Sequence, residues 1–170
     1  MIKIICDFLW VIISLIPYCI FFIISLNKED GFNWSILGFS FLTLLVGSLL
    51  TKGLILFYLK GPSVDTLEIS HIKPAEASYI PVYISYFIIT LGISDIPIFI
   101  IVTISLVLFI LMTKVFYFNV FAYLWGYHFY EATSKKGIEY MLILKQKDLK
   151  QIAKISNLRR LNNFAFMERE

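Results

Sequence analysis

Long apolar runs dominate the pattern of hydrophobic and polar positions. Residues 8–26 and 32–51 carry no charge, and residues 78–113 carry a single charge, at Asp95. A helix rises about 1.5 Å per residue, so about 20 apolar residues cross a hydrocarbon core of about 30 Å. The third run has 36 residues, which suits two spans with a turn at 94–97. The pattern therefore predicts a membrane protein, an α-helical bundle with four transmembrane spans near 8–26, 34–56, 78–94 and 97–116.

Three prolines refine these predicted spans. Pro97 would open the fourth helix, where its missing N–H leaves no hydrogen bond unmade, and Pro81 falls in the first turn of the third. Pro17 lies inside the first span, where a proline removes a hydrogen bond and clashes with the preceding turn. The sequence therefore predicts a kink in the first span, which neighbouring helices can accommodate.

The composition indicates that most of the chain lies in lipid. Hydrophobic residues make up 59% of the 170 residues and charged residues 16%, whereas soluble domains have roughly 45–50% and about 25%. A soluble chain of this composition would expose large apolar patches, which soluble monomers rarely do. These figures exclude a disordered chain, a nucleic-acid-binding arm and an ordinary soluble enzyme. The alternative is that one run is a long buried helix of a soluble protein.

The placement of charge gives the predicted spans an orientation. The net charge is +3, and of the 15 Lys and Arg residues only Lys28 lies in the predicted outer loops, 27–33 and 94–97. Because Lys and Arg collect on the cytoplasmic side of a membrane, both termini are predicted to be cytoplasmic. Lys52 and Lys114 would reach the inner headgroups by snorkelling. The sequence thus predicts a multi-pass protein of the plasma membrane.

Two segments next to the spans have distinct compositions. The cytoplasmic loop 60–77 is predicted to hold one short element, at 66–72. Residues 117–130 are rich in Phe, Tyr and Trp, and because Trp and Tyr concentrate at headgroup depth, we interpret this segment as interfacial. A fifth span over 115–130 is the alternative, since these 16 residues are uncharged. A fifth span would move the basic tail outside and break the charge pattern.

The C-terminal tail, residues 131–170, is predicted to be a basic cytoplasmic β region. The tail has nine basic and five acidic residues. Two β-rich runs, 127–132 and 138–144, flank a turn that contains Gly137 and predict a hairpin.

A weaker pair of β-rich runs follows, at 152–158 and 164–167. With the hairpin, this pair predicts a small β-meander. A helix over 147–161 is the alternative, although its apolar positions recur every three residues rather than every 3.6. The lysines of the tail are interleaved with apolar residues, which is typical of the solvated side of a folded element and argues against direct nucleic-acid binding.

Residue types that carry catalysis or bind metals are scarce in the sequence. The predicted spans contain no Asp, Glu, His or Arg, which transporters and proton-coupled proteins usually carry. Paired carboxylates, Ser-His-Asp sets, Gly-rich phosphate loops and metal-ligand clusters are not found either. The sequence therefore predicts a protein that is not an enzyme, with no catalytic or metal-binding residues and no cofactor.

Two patches resemble a known family. Residues 79–86 read Tyr-Ile-Pro-Val-Tyr-Ile-Ser-Tyr. Residues 119–130 read Asn-Val-Phe-Ala-Tyr-Leu-Trp-Gly-Tyr-His-Phe-Tyr, and they are followed by the predicted hairpin and a final strand, Leu-Asn-Asn-Phe, at 161–164. In these patches, in size and in its four predicted spans the chain resembles the KwaA family, the membrane component of the bacterial Kiwa anti-phage system. The resemblance covers residues 76–168, and the first two spans share hydrophobic character alone.

The resemblance implies a non-enzymatic sensor and scaffold in the bacterial inner membrane. Such a protein would detect phage attack at the membrane and bind a cytoplasmic, DNA-associated effector that is KwaB-like, as a homo-oligomer in the lipid bilayer. The alternatives are a small oligomeric pore or channel subunit, lined by Ser and Thr of the second and fourth spans, and a membrane immunity protein against a bacteriocin. On the sensor interpretation, partner binding and signal transmission are expected at Tyr79, Tyr83, Asn119, Leu124, Gly126, Tyr127, Tyr130, Lys135, Lys136, Lys145, Lys147, Arg159 and Arg160.

Overall fold

Helices and a small barrel make up the fold. The computed structural model describes residues 2–27, 33–60, 65–113, 118–145 and 154–169. The helices are α1 (Ile2–Ser14), α2 (Ile16–Leu26), α3 (Trp34–Leu59), α4 (Glu76–Gly92), α5 (Ile96–Thr113) and α6 (Val120–Leu124). The strands are β1 (Asp65–Pro74), β2 (His128–Ser134), β3 (Glu139–Leu144), β4 (Lys154–Arg160) and β5 (Ala165–Glu168).

The first apolar run is a helix broken in two. Helix α1 ends at Ser14, Leu15 lies between the two pieces, and Pro17 occupies the first turn of α2. A proline in the first turn of a helix is tolerated because the N–H that it lacks would have no partner within the helix. The helix is thus interrupted two residues before Pro17, in the region where the sequence predicted a kink.

Within the described residues, two helices are long and apolar enough to cross a membrane. They are Ile5–Leu26, with 22 residues across the break, and Trp34–Leu59, with 26. The apolar helix Ile96–Met112 is shorter, and α4 has 17 residues. Helix α4 begins at Glu76, two residues before the predicted start, so Pro81 lies inside the helix and not in its first turn as the sequence suggested. By length and composition, two of the four predicted spans thus correspond to helices that could cross a membrane.

The strands close into a five-stranded barrel in the order β1-β2-β3-β5-β4. The predicted hairpin is confirmed, because β2 and β3 pair antiparallel from His128 opposite Leu144 to Thr133 opposite Glu139. Gly137 in its turn has a φ of +78°, a conformation that glycine adopts without steric cost. Antiparallel pairing of β1 with β4 closes the barrel.

The predicted meander is wrong in topology. Strand β5 lies between β3 and β4 and pairs parallel to β3, with Leu142 opposite Phe166. Strand β1, from the loop at 60–77, supplies the fifth strand and pairs with both β2 and β4. Four short strands would leave two open edges, which attract other chains. The fifth strand removes both edges.

Two alternatives left by the sequence are also settled by the described residues. The helix over 147–161 is wrong for its second half, because residues 154–160 form β4, while 146–153 lie outside the described residues. The fifth span over 115–130 is wrong, because α6 has five residues and the chain then enters β2. A crossing helix needs about 20 residues.

Strands β2, β3 and β5 are buried on both faces. Side chains alternate along a strand, and here alternate residues join two different buried clusters. One cluster, which we call the barrel core, consists of Ile69, Tyr130, Ala132, Leu142, Leu144, Ile155, Leu158 and Phe166. The other, which we call the joint cluster, combines barrel and helix residues: Cys6, Trp10, Ile55, Tyr58, Ala75, Phe118, Ala122, Tyr127, Phe129, Met141, Ile143, Leu161, Ala165 and Met167. Helices and barrel therefore share buried side chains through the joint cluster.

Candidate functional site

The short helix α6 links the helices to the barrel, and Asn119 positions it. The Asn119 Oδ1 atom accepts a hydrogen bond of 3.0 Å from the Phe121 N–H, which is the usual role of an asparagine before the first turn of a helix. Its Nδ2 group lies 3.5 Å from the Thr51 Oγ1 atom, which itself donates to the Gly47 carbonyl at 2.9 Å. Asn119 and Thr51 are fully buried. A buried polar contact thus connects α6 to α3.

The C-terminal end of α6 is tied to the same helix. The indole Nε1 of Trp125 donates to the Ser48 carbonyl at 2.9 Å, and the Lys52 ammonium lies 4.1 Å above the Trp125 ring. Gly47 lets α6 approach closely, because a Cβ atom there would lie 2.8 Å from Ile16 Cδ1 and 3.1 Å from Phe121 Cζ. Helix α6 therefore packs directly onto the middle of α3.

Gly126 turns the chain from α6 into the barrel. Its φ is +77°, and the turn brings the Tyr127 N–H to the Ala122 carbonyl at 3.2 Å. An L-residue in this conformation is strained by roughly 1–2 kcal/mol. Tyr127, which follows, is buried in the joint cluster.

Two tyrosines of α4 contact the residue before Asn119. The Tyr83 hydroxyl lies 3.2 Å from the Phe118 carbonyl oxygen and 3.3 Å from that of Ser14, within donating distance of both. The Tyr79 ring stacks on the Phe118 ring at a centroid distance of 5.1 Å, and Phe118 meets Phe129 of β2 edge to face at 4.7 Å. These rings form an unbroken path from α4 to the barrel wall.

A carboxylate and a histidine join the start of α4 to the start of β2. His128 Nδ1 lies 3.0 Å from Glu76 Oε1, and the same oxygen accepts from the Phe129 N–H at 3.4 Å. The Ala75 N–H donates to the Phe129 carbonyl at 2.9 Å. The His128 ring is buried and meets the Tyr123 ring edge to face at 4.7 Å. Sequence reasoning missed this pair, because its members are 52 residues apart and β1 was needed to bring them together.

Six of the residues predicted from sequence lie in this region, which we call the helix–barrel joint and define as residues 118–127 with their contacts on α3 and α4. Leu124 is the exposed member, with 68% of its surface accessible. The six are Tyr79, Tyr83, Asn119, Leu124, Gly126 and Tyr127. Sequence reasoning missed Gly47, Thr51 and Phe118 as members of the joint, and it missed Glu76, which binds the start of β2 next to it.

The other predicted residues lie on the barrel. Tyr130 is part of the barrel core, and the Lys145 ammonium, just after β3, lies 5.3 Å from the Tyr127 ring. Lys135 and Lys136 are in the hairpin turn, at the far end of β2 from the joint. The remaining members are Arg159 and Arg160 in β4, and Lys147, which lies outside the described residues.

Exposed ion pairs connect β1 with the hairpin. The Lys73 ammonium is 2.8 Å from the Glu131 carboxylate, and the Lys135 ammonium is 3.1 Å from Glu68. The hydrogen bond to Glu131 and the charge of its carboxylate raise the pKa of Lys73 above its ordinary value. Because solvent and salt screen exposed pairs, they add little to stability. Elsewhere in the described ranges, no three His, Cys, Asp or Glu side chains are grouped to hold a metal ion.

These features define a class: a protein with two helices able to cross a membrane, joined through a shared core to a five-stranded barrel. A family model for the anti-phage protein KwaA matches residues 7–167, and the chain belongs to that family. The match is wider than the resemblance over 76–168 indicated, since it includes the first two apolar runs. Searches of curated proteins and of solved structures gave no match. Family membership indicates a role in phage defence.

Proposed function

We propose that the chain is a non-enzymatic membrane sensor and scaffold of a bacterial anti-phage complex. It detects phage attack at the inner membrane and binds a cytoplasmic, DNA-associated effector that is KwaB-like. It acts as a homo-oligomer, without a cofactor and without contacting nucleic acid itself. The observation that carries this proposal is the joint cluster, in which α1, α3 and α6 share buried side chains with three barrel strands.

Four spanning helices, with both termini in the cytoplasm, best account for the surface of the helical part. Large apolar side chains are exposed on α4 and α5 as well as on α3, among them Ile88, Ile101 and Phe109. Lipid or neighbouring copies of the chain would cover them, since water-exposed patches of this kind are rare. The 17 residues of α4 lie at the short end of the range for a span.

The connections to the barrel support a cytoplasmic location for it. The chain enters the barrel after the C-terminal ends of α3 and α5 and leaves it before the N-terminal end of α4. In an alternating bundle these three ends lie on one side of the membrane, the side where the sequence concentrates Lys and Arg.

A shared core gives a route from membrane to effector. A change in the tilt or packing of the helices, driven by thickness or tension of the bilayer, would move α6 because α6 is hydrogen-bonded to α3. Movement of α6 displaces Phe118 and Tyr127, which pack on the barrel wall. The basic side chains of the barrel, such as Lys136 and Arg160, suit an acidic surface on the effector.

Cysteine labelling tests the membrane placement. In a chain whose Cys6 and Cys19 are replaced by alanine, we expect Asp95→Cys to react with a membrane-impermeant maleimide in intact cells. The matched variant Lys136→Cys, equally exposed in its turn, should react after permeabilisation alone. Labelling of Lys136→Cys in intact cells, or recovery of the chain in the soluble fraction, would overturn the placement.

A further inference from the structure

An apolar groove runs along the outside of the helix–barrel joint. It has a volume of about 640 Å³ and lies between α3 and α6. Phe41, Leu45 and Leu49 line it from α3, and Phe121, Leu124 and Trp125 line it from α6 and the residue that follows. From Phe41 to Leu49 the wall rises about 12 Å along the helix axis.

The lining accepts an apolar occupant. Five of these six side chains are hydrocarbon, and the indole N–H of the sixth, Trp125, is already donated to the Ser48 carbonyl. A polar ligand would lose its bonds to water on entering and regain few of them, which costs free energy. A hydrocarbon chain makes no hydrogen bonds to water, so entering the groove does not cost it this free energy.

A positive charge lies beside the groove, next to Trp125 of its lining. Lys52 follows Leu49 by almost one helical turn, is exposed, and holds its ammonium 4.1 Å above the Trp125 ring. Lys52 is 18 residues after Trp34 at the start of α3, which places it about 27 Å along the helix, close to the edge of a hydrocarbon core of about 30 Å. Trp125 is a residue type enriched at this depth.

We propose that this groove binds an anionic phospholipid of the inner leaflet. One acyl chain lies along Phe41, Leu45 and Leu49, and the phosphate lies beside the Lys52 ammonium. A molecule with a long apolar chain and an anionic end matches a groove that is apolar along its length and has a cation beside Trp125. The inference rests on the membrane placement proposed above, because it needs α3 to cross the bilayer with Lys52 at the inner side.

A lipid bound in this groove would contact the helix–barrel joint directly. Trp125 and Phe121 line the groove and also hold α6 on α3. A bound acyl chain therefore packs against the same residues that connect the helices to the barrel. Gain or loss of this lipid would change how tightly α6 is held.

Quenching of tryptophan fluorescence measures the binding. The full chain with Trp34→Phe, purified in detergent, is titrated with phosphatidylglycerol that carries brominated acyl chains, and in parallel with brominated phosphatidylcholine. We expect saturable quenching by phosphatidylglycerol at a concentration at least fivefold lower than by phosphatidylcholine. Adding Trp125→Phe should remove the saturable component, because Trp125 is the tryptophan that lines the groove.

Variants that fill the groove distinguish lipid binding at this site from nonspecific contact of lipid with the helices. Leu45→Phe with Leu49→Phe should raise the half-quenching concentration at least fivefold. The matched pair Leu42→Phe with Leu50→Phe, on the same helix and equally exposed but outside the groove, should leave it within twofold. Lys52→Gln should abolish the preference for phosphatidylglycerol, and Lys52→Arg should keep it.

Three results would overturn the proposal: equal quenching by both lipids, equal midpoints for both leucine pairs, or a fall in oligomer mass with the groove-filling pair alone. The last would mean that a second copy covers the groove. Recovery of the chain in membranes with no saturable quenching contradicts the lipid site and leaves the proposed function standing. Recovery in the soluble fraction contradicts the membrane placement itself.

Discussion

Phe129→Ala is expected to separate the barrel from the helices and abolish phage protection. Phe129 is fully buried, meets Phe118 edge to face, and belongs to the joint cluster. Removing a buried phenylalanine costs about 3–5 kcal/mol, because both the transfer of the ring and the cavity left behind are unfavourable. For a chain of this size such a loss lowers the thermal midpoint by roughly 10 °C.

The measurement is the thermal midpoint of the detergent-purified chain, together with plaque counts on cells that express it. Phe164→Ala is the matched control, since Phe164 lies in the turn between β4 and β5 with 56% of its surface exposed. The control should change the midpoint by less than 2 °C and keep protection, because exposed positions contribute about 0.5 kcal/mol or less. Equal midpoints for the two variants would mean that Phe129 does not hold the barrel to the helices.

Asn119→Ala is expected to release α6 from α3 while the barrel stays folded. The substitution removes the acceptor for the buried Phe121 N–H and the contact with Thr51. An unsatisfied buried donor costs about 1–3 kcal/mol. That energy shifts the balance between docked and undocked α6 by about 5- to 150-fold, and protection should fall with it.

The conservative variant distinguishes this effect from general damage. Asn119→Ser keeps an oxygen that can accept from the Phe121 N–H, so it should retain most of the stability and protection. Trp125 emission reports docking, because its indole leaves the Ser48 carbonyl when α6 moves away. If Asn119→Ala and Asn119→Ser protect cells equally, capping of α6 is not required for signalling.

Local sequence patterns predicted the elements that depend on neighbouring residues. The apolar runs marked the helices, Pro17 marked the break, and Gly137 between two β-rich runs marked the hairpin. Each of these signals acts within a few residues, so each can be read without knowing the rest of the fold.

Long-range pairing decided what the sequence did not predict. Residues 66–72 were assigned a short element, but nothing local shows that β1 closes a barrel with β4 across almost 90 residues. The parallel pairing of β3 with β5 is of the same kind. The pairing of β1 with β2 likewise brought Glu76 beside His128, 52 residues further along the chain.

Burial of both faces of β3 and β5 explains why these strands differ from the solvated strands that the sequence predicted. A tail of solvated strands should alternate apolar and polar residues, yet β3 and β5 are nearly continuous in buried side chains. The second face of these strands packs on the helices through Met141, Ile143 and Met167. The unbroken apolar run at 141–144 was therefore a signal that the barrel is attached to the helical part.

In the function proposed above, this chain holds a cytoplasmic effector at the membrane through its barrel. Membrane sedimentation of a KwaB-like effector from the same genome, expressed with and without the chain, tests it most directly. We expect the effector to sediment with membranes when the wild-type chain is present, and to remain soluble without it or with Lys136→Glu and Arg160→Glu combined. An effector that stays soluble beside a wild-type chain recovered in the membrane pellet would contradict the claim.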